Sequence, residues 1–99
     1  MKEMKKYILP VDYTKLKWFE KRLVREQYID EQNGKCMYCG YDLSGKPPLE
    51  ISNKDINLDL FPPDFLKNPI HLQHNHYTGM TEGAVHAYCN AVMWQYDGR

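Results

Sequence analysis

Apolar residues first recur along the chain with a helical spacing. Between Asp12 and about Gln32 they return every three or four positions, as on one face of an amphipathic helix. The members of this stripe are Leu16, Phe19, Leu23, Val24 and Tyr28. Asp12 or Thr14 can cap the start, and Asn33-Gly34 can end the helix. We therefore predict one long N-terminal helix, preceded by an extended arm.

A strand-like alternation appears in the last third of the chain. Residues Pro69 to His74 alternate apolar and polar side chains, which predicts a first strand. Met80 to Val85 is predicted to be the return strand, with Gly83 as a bulge. A loop over His76–Gly79 joins them, and a final helix is expected from residue 86 or 87 to Tyr96. These elements predict a small α+β fold.

The segment 44–68 is a long insertion between these two regions. Its prolines, Pro47-Pro48 and Pro62-Pro63, and its acidic residues argue against a regular element, and we expect a long insertion with one short strand or helical turn. So long a loop inside a small domain is often functional. Its apolar members are expected to contact the body of the protein or a second subunit, which makes a homodimer possible. They are Leu58, Leu60, Phe61, Phe65 and Leu66.

The chain has 99 residues, of which 42% are hydrophobic and 26% are charged. This length and composition predict one folded unit. Within it we distinguish an N-terminal arm and basic helix, residues 1–34, from a core over residues 35–99. Net charge is zero, but residues 1–35 carry nine Lys and Arg against six Asp and Glu. The basic residues of the helix are either a solvated face or a phosphate-binding surface. They are Lys15, Lys17, Lys21, Arg22 and Arg25.

Membrane and export signals are absent from the pattern. No apolar run approaches the ~20 residues of a membrane span. The basic N-terminus lacks the apolar region of a signal peptide. We expect a cytoplasmic protein without a membrane partner, of phage or bacterial origin.

Two pairs of metal-ligating residues stand out. Cys36 and Cys39 form a CxxC motif, and His86 and Cys89 form an HxxC motif that is separated from it by 46 residues. In the first turn of a helix, positions i and i+3 project to the same side. Four nitrogen and sulfur ligands in two such pairs are typical of a closed tetrahedral zinc site. A structural Zn²⁺ would then stabilise a domain whose core is small.

Other interpretations of these residues stay open at this point. The CxxC could be a redox pair, although no βαβ pattern surrounds it. His86 could be an ordinary residue at a helix start, leaving Cys89 as a small buried side chain. His71 is then the most plausible replacement as the fourth ligand.

The order of these motifs resembles a known family. CxxC is followed by HLQHNH, a TG turn, a further glycine, HxxC and an asparagine. This order resembles the HNH (His-Me finger, ββα-metal) endonucleases, and within them the recombination endonuclease VII-like branch. The resemblance covers residues 35 to 96, and the first 34 residues match nothing in it. It implies a zinc-bound ββα-metal domain that follows an N-terminal helix.

The resemblance also implies roles for individual residues. His74 corresponds to the general base that activates water. Gln73 stands where the family has an acidic metal ligand, and Asn90 corresponds to the second metal ligand. His76 corresponds to a histidine that contacts phosphate or the metal. The implied activity is a metal-dependent DNA endonuclease that nicks or cuts double-stranded DNA through backbone contacts, with little sequence specificity.

The neutral Gln73 is a departure from the family. With Asn90 also neutral, the catalytic Mg²⁺ or Mn²⁺ would meet no formal negative charge from these two ligands. A histidine ligand, His76 or His71, would favour Mn²⁺ or a later transition ion. On a regular strand Gln73 and His74 also point to opposite faces, so the strand must end or bulge near them. The alternative function is a catalytically weak or silent zinc-stapled module that binds DNA or supports an assembly.

Overall fold

The computed structural model describes residues 7–97, and the first residues of the predicted arm lie outside this range. In this part of the chain no helix is both long and apolar enough to span a bilayer. Three helices and two strands form an α+β fold in which α3 follows β2 without a loop. Along the chain they are α1 (Trp18–Glu31), α2 (Leu49–Ser52), β1 (Ile70–His74), β2 (Thr81–His86) and α3 (Ala87–Asp97).

The N-terminal helix begins later than predicted. The Asp12 carboxylate accepts the Thr14 N–H at 3.0 Å, which caps a separate 3-10 turn over Tyr13–Lys15. A side chain that bonds to the local backbone in this way competes with helix propagation. Leu16 and Lys17 are then extended, so α1 starts at Trp18.

Only part of the predicted apolar stripe is buried. Val24 and Tyr28 lie in the core, but Phe19 is 42% exposed. The predicted stop is confirmed, because Asn33 and Gly34 both adopt positive φ angles after the helix.

The two strands form an antiparallel pair with one irregularity. Gln73 pairs with Gly83, whereas His74 pairs with Thr81, so Glu82 is the extra residue of a bulge. The bulge was predicted at Gly83 and lies one residue earlier. It lies opposite Gln73 and His74 and changes the register of the two strands at that point.

The N-terminal arm adds to the edge of this hairpin. The Thr81 N–H donates to the Val11 carbonyl at 2.8 Å, and the Val11 N–H donates to the Thr81 hydroxyl at 3.0 Å. The Tyr13 N–H donates to the carbonyl of Gly79 at 2.7 Å. These bonds bring the ring of Tyr13 against His74, as described below.

The core lies between α1, the hairpin and α3. Burying each large apolar side chain stabilises the fold by about 1.5–3 kcal/mol. The Tyr28 hydroxyl is hydrogen bonded to Thr81 at 2.8 Å, which joins α1 to β2. The fully buried side chains of largest volume are Met93, Val24, Val85, Val92 and Cys89.

The insertion is attached to α3 by polar contacts. The Asn57 N–H donates to Gln95 at 2.8 Å, and the Gln95 amide donates to the Asp55 carbonyl at 3.1 Å. The Lys54 ammonium lies 4.9 Å from the centre of the Tyr96 ring. The insertion therefore packs on the body of its own chain, and a contact with a second subunit stays a prediction.

Gly83 occupies a position that cannot hold a larger residue. A Cβ there would lie 2.8 Å from Gln32 Oε1 and about as close to Met37, whose Cγ is at 3.0 Å. Gln32 is fixed because its amide bonds to both the N–H and the carbonyl of Ala84. Gly83→Ala should lower the free energy of unfolding by about 1–3 kcal/mol, the usual cost of overpacking.

The matched control is Gly45→Ala, because a Cβ at Gly45 meets only one atom, at 3.8 Å. Urea unfolding of the zinc-loaded proteins measures both changes. Equal stabilities of the two variants would show that the space around Gly83 is not limiting.

Candidate functional site

Four ligand atoms converge where β2 passes into α3. Cys36 and Cys39 come from the turn after α1, His86 ends β2, and Cys89 lies in the first turn of α3. The thiol and imidazole ligand atoms all lie within 4.8 Å of one another. The Met37 N–H donates to the Ala84 carbonyl at 2.9 Å, which fixes the turn against β2.

The spacing of these atoms fits one tetrahedral ion. The His86 Nδ1 atom lies 3.4 Å from Cys39 Sγ and 3.5 Å from Cys89 Sγ. A tetrahedral zinc ion with ordinary Zn–S and Zn–N bonds requires a sulfur–nitrogen separation of about 3.5 Å. Cys36, His86 and Cys89 are buried, so solvent would have little access to a bound ion.

The imidazole of His86 is prepared for this role by its other nitrogen. Nε2–H donates to the carbonyl of Asp42 at 2.9 Å, which fixes the tautomer and turns Nδ1 towards the thiols. Metal-binding histidines usually carry such a second hydrogen bond. The Nδ1 atom of His86 is therefore the ring nitrogen that faces the cluster.

The thiols are polarised by their proximity. A hydrogen bond from the Cys89 thiol lowers the pKa of Cys36 to about 4, whereas burial raises the pKa of Cys39. A thiolate in this cluster attracts a cation. None of the three cysteines forms a disulfide, and the third cysteine and the histidine distinguish the cluster from a simple redox pair. The cluster could hold a structural metal ion such as zinc.

A cleft of about 380 Å³ opens beside this cluster, between α1, β1 and α3. All four residues predicted to be catalytic line it, and the structure thus brings them together. They are Gln73, His74, His76 and Asn90, and they are joined there by His71, Tyr13 and Trp94.

His71 and Asn90 form a hydrogen-bonded pair in this cleft. The His71 Nε2–H donates to the Phe65 carbonyl at 2.8 Å, and its Nδ1 accepts the Asn90 amide N–H at 3.0 Å. Burial lowers the pKa of His71, which favours this neutral form. Both ring nitrogens of His71 have hydrogen-bond partners, so His71 is not available to replace His86 in the cysteine cluster.

The side-chain amide oxygen of Asn90, Oδ1, is buried and has no hydrogen-bond partner among residues 7–97. Leaving a buried acceptor unpaired costs about 1–3 kcal/mol. A cation bound in the cleft would satisfy it, so this amide fits the ligand role that the sequence predicts.

His76 is engaged by an aromatic residue of α3. The Trp94 indole N–H donates to His76 Nε2 at 2.8 Å. In a neutral imidazole the proton then lies on Nδ1, which is a donor. His76 therefore presents a hydrogen-bond donor to the cleft.

His74 has free ring nitrogens. Its ring stacks on Tyr13 with centroids 3.9 Å apart and planes 7° from parallel. Within the described range neither nitrogen forms a hydrogen bond. Burial lowers the pKa of His74, and the neighbouring His76 and Lys21 lower it further, against an opposing effect of Glu82. The imidazole is neutral at pH 7 and can accept a proton.

Gln73 lies at the buried end of the site. The side chain is 2% exposed, and its amide donates to the His74 carbonyl at 3.1 Å and to Glu82 Oε1 at 3.4 Å. A carboxylate is therefore present next to Gln73, on the residue that forms the bulge. Sequence reasoning missed Glu82, although it is the only acidic residue between Pro69 and Asn90.

The five basic residues predicted to bind DNA are not equivalent. Lys21 and Arg25, one helical turn apart on α1, line the cleft. Arg22 forms an ion pair with Glu26 at 3.2 Å instead. Lys15 and Lys17 precede α1 and do not line the cleft.

Two aromatic residues of the cleft were also missed as site residues. Trp94 is 45% exposed and bonded to His76. Tyr13 gave no sequence signal, because it reaches His74 only through the pairing of the arm with β2.

Comparisons of the chain with models of protein families, with curated proteins and with solved structures found no match. The function therefore has to be inferred from the cysteine cluster and the cleft themselves.

Zinc binding is expected to depend on all four cluster residues. Cys39→Ser should weaken zinc binding by more than about 100-fold, because losing a ligand has a larger effect than the 10–100-fold loss that follows removal of a residue hydrogen bonded to a ligand. It should also lower the melting temperature. Elemental analysis, cobalt absorption typical of tetrahedral thiolate sites, and thermal unfolding measure these changes.

Met37→Ser, in the same turn and 38% exposed, is the matched control and should keep its zinc. If Cys39→Ser retained full zinc affinity and tetrahedral cobalt absorption, the proposed ligand set would be wrong.

Proposed function

We propose that this protein is a metal-dependent DNA endonuclease of the HNH type, which hydrolyses phosphodiester bonds with low sequence specificity. One observation carries the proposal: His74 is the cleft histidine with unoccupied ring nitrogens, and the groups around it favour its neutral form. A positioned neutral imidazole of this kind is suited to general-base catalysis.

In the proposed reaction His74 removes a proton from water, and the oxygen of that water attacks phosphorus as the bond to the leaving oxygen breaks. Stacking on Tyr13 fixes the plane of the imidazole, so its lone pair keeps one direction. Restricting the base in this way reduces the entropy cost of reaching the transition state. His76 donates a hydrogen bond from Nδ1 to a phosphate oxygen, because Trp94 occupies Nε2.

Asn90 and Gln73 would hold the catalytic divalent ion. The unpaired Asn90 Oδ1 supports this assignment most directly. A bound Mg²⁺ or Mn²⁺ stabilises the negative charge that develops on the phosphate and the leaving oxygen. Because Nε2 of His76 is bonded to Trp94, it is not available to the ion. The ion would be held by the side-chain oxygen atoms of Asn90 and Gln73.

Glu82 compensates in part for the neutral amide at position 73. Its carboxylate lies 3.4 Å from the Gln73 amide nitrogen. Because it is bonded to the Gln73 amide, this carboxylate would act on a cation held by Gln73 through the electrostatic potential without ligating it. The ion should nevertheless bind weakly without DNA, and slow cleavage is expected. With oxygen donors alone, the preference for Mn²⁺ that a histidine ligand would bring is not expected.

Lys21 and Arg25 would contact the phosphate backbone on either side of the scissile bond. Both lie on the side of α1 that lines the cleft. Among the described residues Arg25 has no ion-pair partner, so its guanidinium is available to a phosphate. Contacts limited to the backbone fit a nuclease that reads little sequence.

A second candidate function is a DNA-binding or assembly module without catalysis. The specific observation that favours it is the engagement of the neutral Gln73 amide by Glu82 and the His74 carbonyl. Such a module would keep the zinc cluster and the basic face and lose only the chemistry. Mutation of His74 separates the two candidates.

Substitution of the general base should abolish cleavage. His74→Ala is expected to reduce nicking of supercoiled plasmid by about 10²–10⁴-fold, the usual contribution of a general base. Zinc content, melting temperature and DNA affinity should stay near wild type, since His74 forms no hydrogen bond to the described residues.

Added imidazole should restore part of the activity by entering the space beside Tyr13, and it should not stimulate the wild type. Equal nicking by wild type and His74→Ala would show that His74 is not the base. A wild type that binds DNA and never nicks it would support the second candidate.

DNA affinity should fall with salt and depend on two of the basic residues. Lys21→Ala and Arg25→Ala should each weaken binding to a short duplex and reduce the slope of log affinity against log salt by about 0.9. Arg22→Ala is the matched control, because Glu26 already pairs with this side chain. Fluorescence anisotropy without divalent ions measures all three. If Arg22→Ala had the largest effect, DNA would not bind along the cleft.

A further inference from the structure

His71 connects the insertion to the site. Its Nε2–H donates to the carbonyl of Phe65, which lies in the insertion, and the Phe65 ring meets the imidazole edge-on with centroids 4.6 Å apart. The carbonyl accepts but cannot donate, so the proton of the neutral ring is on Nε2. Nδ1 is thereby a hydrogen-bond acceptor.

This acceptor selects the orientation of the Asn90 amide. An amide can turn by half a rotation, which exchanges its oxygen and nitrogen at little steric cost. Opposite an acceptor, only the orientation that directs Nδ2 to His71 is paired, and the observed separation is 3.0 Å. The same orientation leaves Oδ1 without a partner among residues 7–97.

We propose that His71 is a positioning residue: it holds the Asn90 amide so that Oδ1 is turned to the catalytic ion. This proposal rests on the proposed nuclease function. His71 acts through Asn90 and does not contact the ion, because both of its nitrogens have partners. The insertion takes part in the site through the Phe65 carbonyl.

The test compares two substitutions of His71 in the zinc-loaded protein without DNA. His71→Phe keeps a planar ring against Phe65 and removes the acceptor, while His71→Asn presents an amide oxygen near the position of Nδ1. Mn²⁺ binding is measured by electron paramagnetic resonance of the free ion. We expect His71→Phe to weaken Mn²⁺ binding by about 10–100-fold, as is usual when a residue hydrogen bonded to a metal ligand is removed. His71→Asn should recover most of this loss.

A double-mutant cycle with Asn90→Ala provides a second measurement. Alanine has no amide, so it has no orientation for His71 to select. In the Asn90→Ala background, His71→Phe should change Mn²⁺ affinity by less than about threefold, the coupling being removed with the amide. An equal loss in both backgrounds would mean that His71 acts independently of Asn90, and the proposal would be overturned.

Asn90→Ala distinguishes failure of this proposal from failure of the proposed function. If Asn90→Ala binds Mn²⁺ like wild type, the ion is not held here and both proposals fall. If Asn90→Ala weakens binding and His71→Phe does not, the metal site stands and the positioning role is wrong. Zinc content and melting temperature confirm that each variant is folded. If His71→Phe does not fold, His71→Leu replaces it in the same cycle.

Discussion

The convergence of three thiols and one imidazole at the end of β2 fixes the direction of α3. His86 is the last residue of the strand and Cys89 lies in the first turn of the helix, while Cys36 and Cys39 hold both from the side of the N-terminal segment. The Ala87 N–H also donates to the Pro69 carbonyl at 2.8 Å, which ties the helix start to the beginning of β1. Asn90 directly follows Cys89, and Trp94 lies one turn later on the same helix. A metal in the cluster would therefore orient both cleft residues of α3.

The four histidines differ in chemical character because different groups contact their ring nitrogens. A carbonyl fixes the tautomer of His86 and another fixes that of His71, whereas an indole N–H occupies His76. His74 instead contacts the face of Tyr13 and keeps its lone pair. A single residue type thus supplies a candidate metal ligand, a hydrogen-bond acceptor, a hydrogen-bond donor and, in His74, a candidate base. Backbone carbonyls and aromatic residues determine these differences, and none of them belongs to the sequence motif.

The elements that could be predicted are those whose cause is local in sequence. The paired spacing of the cluster ligands predicts their convergence, because CxxC and HxxC each put two ligands on one turn. Alternation predicts both strands to within a residue. The start of α1 was wrong because Asp12 caps a separate turn, and the role of Glu82 was missed because register decides which residue is extra in a bulge. Tyr13 and Phe65 reach the cleft through pairing of distant segments, which no local pattern encodes.

The distribution of charge in the cleft has a consequence for the order of binding, if the protein is the proposed nuclease. Asn90 and Gln73 are neutral, and Glu82 compensates for this only in part, so the ion would gain little electrostatic stabilisation from the protein alone. A DNA phosphate held by Lys21 and Arg25 would add negative charge at the same place. Each ligand would then raise the affinity for the other by the same factor, since coupling between two sites is reciprocal. The neutral amide at position 73 would in this way make metal binding depend on the substrate, and the free protein would hold the ion only at high concentration.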